Sequence, residues 1–516
     1  MKAKGVEKSA KDLTTGLKRW RLTILVMVVM LAVAWRFVGI TQWPSSFHLT
    51  RQYDDALRAR AMWLKVRPQP LSDGERLWLE HSPSVVLEVP LLESLMVGSY
   101  LMAGGEYPWL AYVITSCCWL AGGWFIYDMA RRLTSSCDSA LLALAIYLLA
   151  PLGIMLSRSF QPEAPLVLGL VVALWSIIRW QDSTTWRTTF LVGSICGLAM
   201  LVKPGFAFFP LLGTYVALRL SKAGWRAVIG PQTWVFAALT LVPSVIYVWL
   251  FLSGQGGQKI MPHLLLTADY YRTWWLLVST GIGWYLLAAA VAGAYLLKRD
   301  NGSYVGYGLL AGYGAFCATF TWHTMTHSYY HVILVPIVAL CAAPLGGYAG
   351  AYLTKKTLPK WLPYALAAAL LTVLIGFSSP ALTLIAPPEG FDDAIKFHQE
   401  FGRFAGAGSK TAFLGEDYGQ PLAFHGWLSV YAWPTHVDLT YNETRGVPNK
   451  PAAQRLREVV EDFKAQYFVV TNLEELKNQP ELAELLKHLP RVVEGPQLVV
   501  FDLRPIGAPR VAPSAQ

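Results

Sequence analysis

Charge is what this chain has least of. Asp, Glu, Lys and Arg make up 15% of its 516 residues, whereas soluble domains carry about 25%. That shortage, beside a hydrophobic share of 54%, excludes an ordinary soluble enzyme and points to an integral membrane protein. Cysteine is equally thin. Cys117, Cys118, Cys137, Cys196, Cys317 and Cys341 all lie in or beside apolar runs, and the C-terminal region has none. Without paired spacing they exclude a disulfide framework and a structural zinc site, and they read as small buried hydrophobes. Nucleotide chemistry also lacks its signature. No P-loop, GxGxxG segment or nucleophile elbow stands in a strand–turn–helix setting, and Gly254–Gly257 lacks a Lys-Ser/Thr ending.

What charge there is follows a pattern. The net charge of +10 comes from Lys and Arg in short loops, as the positive-inside rule requires, so it does not call for nucleic acid as a partner. Many runs approach the roughly 20 apolar residues that cross a bilayer. The basic segment 1–21, ending Lys18–Arg19–Trp20–Arg21, is expected to stay in the cytoplasm. It is followed by an uncleaved first span from Leu22 to Ile40, whose Arg36 is expected to snorkel to the interface. Residues 41–89 form a large outer loop. Pro90–Met102 is too short for a crossing and reads as a helix lying in the outer interface.

The further crossings are Trp109–Tyr127, Ser139–Leu156, Ala164–Ile178, Phe190–Val202, Gly205–Leu220, Trp234–Leu252, Trp274–Leu297, Val305–Trp322, Val332–Tyr352 and Leu362–Ile385, eleven with the first. Arg131/Arg132, Lys298/Arg299 and Lys355/Lys356 then fall inside. Counting Pro90–Met102 as a span would put them all outside, against the charge rule. The expected fold is a mainly α, polytopic membrane domain over 22–387, with a small extracytoplasmic α/β domain over 388–506 and a disordered tail over 507–516. In the α/β domain, helical patterns (Phe391–Phe404, Ala452–Lys464) alternate with β-rich runs (Lys410–Leu414, Tyr467–Thr471, Gln497–Leu503).

This threading gathers the chain's unusual polar residues on the face opposite the amino terminus. RQYDDALRARAMW (Arg51–Trp63) sets two carboxylates among arginines. One Asp can deprotonate an acceptor while arginines hold a phosphate, or the acids can simply pair with Arg51, Arg58 and Arg60 on a wet loop. Glu88 either caps the interfacial helix or orients a substrate or metal. In SRSFQPE, Arg158 can clamp a phosphate bidentately or pair with Glu163 to close the turn. Lys203 either snorkels or meets lipid phosphate. In HTMTHSYYH, His323, His327 and His331 are four apart and would share one helical face, fit for a metal, for packing or for substrate hydrogen bonds. Tyr329 and Tyr330 fit an aromatic belt.

Taken in order, RQYDDALRAR, EVPLLESL, SRSFQPE, LVKPGF and HSYYHVILVP make the chain resemble the GT-C glycosyltransferases. The nearest branch holds protein O-mannosyltransferases and the bacterial aminoarabinose transferase of lipid A, and the resemblance covers residues 20–387. It departs in having Asp54–Asp55 where the family often has Asp-Glu, and one proline after Glu88 where the family has two. The resemblance implies an inverting transfer of a hexosyl or pentosyl group from a polyprenyl-phosphate sugar to an acceptor at the outer face of a bacterial inner membrane. The acceptor would be lipid A, a glycan, a protein or another lipid. It implies that Asp54 or Asp55 is the catalytic base, that Arg58, Arg158 and Lys203 contact the donor phosphate, and that Glu88, Glu163, His327, Tyr330 and His331 meet substrate. No cofactor is required and a divalent metal is optional. Two other readings share the scaffold: a transporter or flippase of lipid-linked sugars, and a non-catalytic envelope-assembly protein.

Overall fold

The computed structural model describes residues 2–45, 47–82, 88–252, 260–297, 301–354, 362–444, 446–495 and 498–507. It divides into two compact units: Met1–Gln42, Val86–Leu92 and Trp109–Ala386 form one, and Trp43–Val85, Glu93–Pro108 and Pro387–Gln516 the other.

The first unit is a helical membrane bundle. Each of the eleven expected crossings falls on helix. Arg19–Phe37, Leu110–Thr134, Glu163–Trp180, Pro231–Phe251, Ser328–Tyr352 and Ala368–Ile385 are each long and apolar enough to cross a bilayer. Cys137–Leu149 and Trp186–Val202 are shorter apolar helices, as is the interfacial candidate Leu91–Ala103. Phe208–Val228 packs on Asn301–Thr319 through small residues. A Cβ on Gly213 would collide with the Gly308 carbonyl oxygen, the close backbone approach on which helix packing in lipid depends.

Two expected crossings are not straight. Trp274–Leu297 is a pair, Ala268–Gly281 and Trp284–Leu296, bent by 91°. The break is at Gly283, whose φ of 101° favours a residue without Cβ. Ser139–Leu156 is interrupted at Ala150, held extended by Pro151, which opens the short helix Pro151–Leu156. Lys298/Arg299, Lys355/Lys356, Gly254–Gly257 and residues 508–516 lie outside the described residues. All six cysteines are free thiols.

The second unit is built on a five-stranded sheet in the order β2-β1-β3-β5-β4, with β1 Lys410–Leu414, β2 Ser429–Ala432, β3 Tyr467–Val470, β4 Arg491–Glu494 and β5 Val499–Asp502. β1 pairs in parallel with β2 and β3, while β5 runs antiparallel to β3 and β4. Side chains alternate between its faces. Ala412, Leu414, Phe468 and Val470 pack under helices Ala452–Glu461 and Pro480–Lys487. Phe413, Tyr467 and Val469 pack under Phe391–Ala405 and Gln420–Gly426. The result is the expected small α/β region, with two strands, β2 and β4, beyond those expected. The helices Leu49–Val66 and Asp73–His81, from the segment expected to be the first outer loop, fold with it.

Candidate functional site

In the second unit, the paired acids sit inside the helix Leu49–Val66 rather than at its start. Helical geometry turns the neighbours apart by about 100°, and they meet different surroundings. Asp55 is buried at 1% exposure, in contact with Arg58 and with Arg51 Nη2 at 3.7 Å. Arg58 Nε lies 3.2 Å from Glu93 Oε1, on the first turn of Leu91–Ala103. The expected pairing of acids with arginines is therefore present, with Asp55 as its buried carboxylate. Asp54 is half-buried. Arg60 turns elsewhere: Nε donates to Glu106 at 2.9 Å, Nη1 donates to the Phe424 carbonyl at 2.6 Å, and the guanidinium stacks 3.8 Å from the Phe424 ring.

In the first unit, Lys203 does not snorkel. It is 4% exposed and donates to Glu163 Oε1 at 2.6 Å, with Glu88 Oε1 at 3.8 Å. The sequence places these charges at opposite helix ends. Glu163 opens Glu163–Trp180, and Lys203 follows the last residue of Trp186–Val202. The two helices run antiparallel, so an acid at a positive terminus meets a cation at a negative one, and both macrodipoles favour the pair. Rings cover the ammonium: Phe206 at 4.7 Å, Tyr329 and Tyr330 at 5.2 Å. Glu163 Oε2 is buried and accepts no hydrogen bond among the described residues.

The SRSFQPE turn was expected as a short outer connection between two apolar spans. It is buried throughout, because Thr115 and Ser116 of the helix Leu110–Thr134 donate to the Ser157 carbonyl at 3.0 and 2.9 Å. Arg158 and Glu163 do not pair. Glu163 is taken by Lys203, while Arg158 Nη2 donates to the Gly39 carbonyl at 2.8 Å, and among the described residues Arg158 has no carboxylate partner. Buried connections with charged side chains are unusual. A cation held by a carbonyl keeps its charge available to an anion.

The histidines do not share one face. Thr321–Thr326 is helical, His327 is extended at φ −135° and ψ 128°, and Ser328–Ile333 is a tighter helix. His331 is spent on structure: Nδ1 bonds the Tyr313 hydroxyl at 2.7 Å and Nε2 the Thr324 carbonyl at 2.8 Å, which leaves no ring nitrogen for substrate. His327 Nδ1 bonds Thr326 Oγ1 at 2.8 Å. Tyr330 joins the aromatic group around Lys203, 4.9 Å from the His323 ring and 5.4 Å from Phe206. Among the described residues no group of three His, Cys, Asp or Glu is placed to hold a metal ion.

Sequence reading missed Glu93 and Glu106. Arg36 does not snorkel either. It is fully buried and donates to the Ala32 and Leu148 carbonyls, both at 3.0 Å. Leu148 is in the last turn before the Pro151 break, so the guanidinium neutralises a broken helix's negative end. The signal was an arginine in an apolar span, too costly to leave unpaired.

Residues 89–251 match the family model for dolichyl-phosphate-mannose-protein mannosyltransferases. Among solved structures, the chain is similar to ArnT from Cupriavidus metallidurans, which is known both apo and bound to undecaprenyl phosphate. The apo form is 15% identical with a TM-score of 0.56, covering 92% of this chain and 97% of that one. The bound form is 14% identical with a TM-score of 0.59 over the same shares. The archaeal oligosaccharyltransferase AglB from Archaeoglobus fulgidus, in complex with an inhibitory peptide and a dolichol-phosphate, is 14% identical, with a TM-score of 0.55 over 92% of this chain and 73% of that one. No curated protein matches the chain. The architecture is that of the GT-C fold, in a multi-pass membrane protein.

Proposed function

We propose that the protein is an inverting glycosyltransferase that moves a sugar from a polyprenyl-phosphate donor to an acceptor at the outer face of a bacterial inner membrane. The likeness over 92% of the chain to a structure holding undecaprenyl phosphate carries this reading. The buried guanidinium of Arg158, which has no carboxylate partner among the described residues, is the feature of this chain that best suits a lipid phosphate.

In this reading Asp54 takes the proton from the acceptor hydroxyl or amine. The acceptor atom then attacks the anomeric carbon, and the bond from that carbon to the phosphate oxygen breaks. The lipid phosphate leaves with the electron pair, stabilised by cations. Asp54 is preferred to Asp55 because Asp55 is buried in its arginine contacts, whereas Asp54 keeps some exposure. Arg158 is assigned to the phosphate, whereas Arg58 is already paired with Asp55 and Glu93. Lys203, already neutralised by Glu163 and Glu88, sets the position of these acids and of Tyr330. The donor is already activated, so the chemistry needs neither a nucleotide nor a resident metal. This reading has the amino terminus in the cytoplasm and the acids and carboxy-terminal region outside it.

Asp54→Asn is the test. Purified variant is expected to bind undecaprenyl phosphate as the wild type does while losing transfer by about 10²–10⁴-fold, the usual worth of a general base. Unchanged transfer would remove Asp54 from the role. The bent pair Ala268–Gly281 and Trp284–Leu296 gives the transporter reading its one support, since broken helices line transport sites. Lipid-linked sugar crossing vesicle membranes with no product formed would favour it. Mass spectrometry of envelope lipids and glycans from cells with and without the protein would identify the acceptor.

A further inference from the structure

The helix that carries Asp54 lacks a start of its own making. His48, at its N-cap, is left-handed at φ 57° and gives no side-chain hydrogen bond to the first turn. Helix starts leave N–H groups without partners. Here the acceptor comes from the other end of the chain. Asp417 Oδ1 accepts from the Thr50 backbone N–H at 3.2 Å and from the Thr50 hydroxyl at 3.1 Å. A carboxylate at that terminus also meets the positive end of the macrodipole.

Asp417 is held there at some expense. It and Tyr418 both have φ 53°, a region that tyrosine rarely adopts, and the Tyr418 hydroxyl ties the turn to Asp438 Oδ1 at 2.8 Å. The turn follows β1, where the chain leaves for β2 on one side and β3 on the other. Open α/β sheets take their ligands at such points. In this protein the chain's own Thr50 occupies the position.

Two more contacts follow along the helix, and Thr50, Tyr53 and Arg60 share one face. The Tyr53 hydroxyl donates to the Pro44 carbonyl at 2.9 Å and lies 2.8 Å from His425 Nε2. The Arg60 guanidinium bonds the Phe424 carbonyl and lies between the Phe424 ring and the Trp427 ring, 4.1 Å from the latter. Tyr53 is the residue before Asp54, so its anchor fixes the helix's rotation where the acid emerges.

We propose that the carboxy-terminal α/β region is a clamp on the helix Leu49–Val66, with Asp417, His425 and the Phe424 carbonyl as positioning groups that set Asp54 for transfer. The proposal rests on the transferase reading and gives the region a task other than acceptor recognition.

The test combines hydrogen exchange with kinetics on full-length protein in nanodiscs. Asp417→Ala is expected to raise exchange in the peptide spanning residues 49–55 by about tenfold, the size of a lost helix cap, with β1, β3 and β5 unchanged. Transfer is expected to fall in kcat while donor KM and undecaprenyl-phosphate binding stay within about twofold, since position and not affinity is lost. Asp417→Asn keeps an acceptor oxygen and is expected to restore most of both. Should Asp417→Ala fail to fold, Thr50→Ala, which deletes only the hydroxyl arm, is expected to give a smaller loss of the same kind. Unchanged exchange in residues 49–55, or looser exchange with full transfer, would overturn the clamp. Asp54→Asn separates the two ideas: it should leave exchange in residues 49–55 unchanged. If it also left transfer intact, the base assignment would fall, while the exchange results would still decide whether the clamp holds.

Discussion

Lys203 places its ammonium 2.6 Å from the Glu163 carboxylate and 3.8 Å from that of Glu88, inside a unit otherwise built from apolar helices. One cation therefore serves two acids, and its removal takes from Glu163 its hydrogen-bond donor. Breaking a buried pair from one side costs about 3–5 kcal/mol, because the remaining charge stays in a poor solvent. Lys203→Met is expected to lower the thermal unfolding midpoint sharply. Lys203→Met with Glu163→Gln is expected to recover much of the loss. A double variant no better than the single one would show that the pair contributes little.

Asp55 and Asp54 are expected to part in their phenotypes. Asp55→Asn loosens the contacts with Arg51 and Arg58 and should destabilise the helix by about 1–3 kcal/mol. Hydrogen exchange across residues 49–66 should read the change. Residual transfer in Asp55→Asn is expected to stay well above that of Asp54→Asn.

Arg158→Gln is expected to weaken undecaprenyl-phosphate binding by about tenfold or more, since a hydrogen bond to a charged group is worth about 1.5–3 kcal/mol. Its thermal midpoint should move little, because the turn is also held by Thr115 and Ser116. Arg158→Lys should recover only part of the binding, as an ammonium lacks the planar fork. Full affinity in Arg158→Gln would move the phosphate elsewhere.

The second unit is expected to be acid-labile. Burial drives His425 down to about 3 and His398 to about 4, from the ordinary value near 6.5, with the Arg60 guanidinium adding to the fall at His425. Between pH 6.5 and 4 the unfolded chain takes up protons on these rings and the folded one does not, so stability falls as pH drops through that window. Proteolysis between residues 388 and 507 should rise from pH 7 to pH 5. In His398→Phe the rise should be smaller. An equal rise in wild type and variant would assign the acid response to other groups.

The fold was legible where one physical rule dominates. Apolar runs located the long helices of the first unit, and period-two and period-3.6 patterns located β1, β3, β5 and the helices Phe391–Ala405 and Ala452–Glu461. β4 was missed because Arg491–Glu494 is an exposed, charged edge with little alternation, and β2 because Ser429–Ala432 is the other edge, mostly half-buried, with only Val430 and Tyr431 as strand formers. The bend at Gly283 was invisible because its neighbours are as apolar as a straight span. At the candidate site the residue types were readable and their partners were not. That Glu163 would choose Lys203 over Arg158 depends on two helix termini meeting, and that Arg36 would turn inward depends on a break set by Pro151. His331 looked like a free imidazole because nothing in HSYYH shows that Tyr313 and the Thr324 carbonyl will take both its nitrogens.

The bond from Thr50 to Asp417 joins residues 367 positions apart. A ribosome adding about 5–20 residues per second needs roughly 20 to 70 seconds to travel that far. For all that time the helix bearing the acids waits without its cap. A chain released early would carry every helix of the first unit and still lack Asp417, so under the proposed clamp synthesis itself withholds activity until the last domain has emerged and folded.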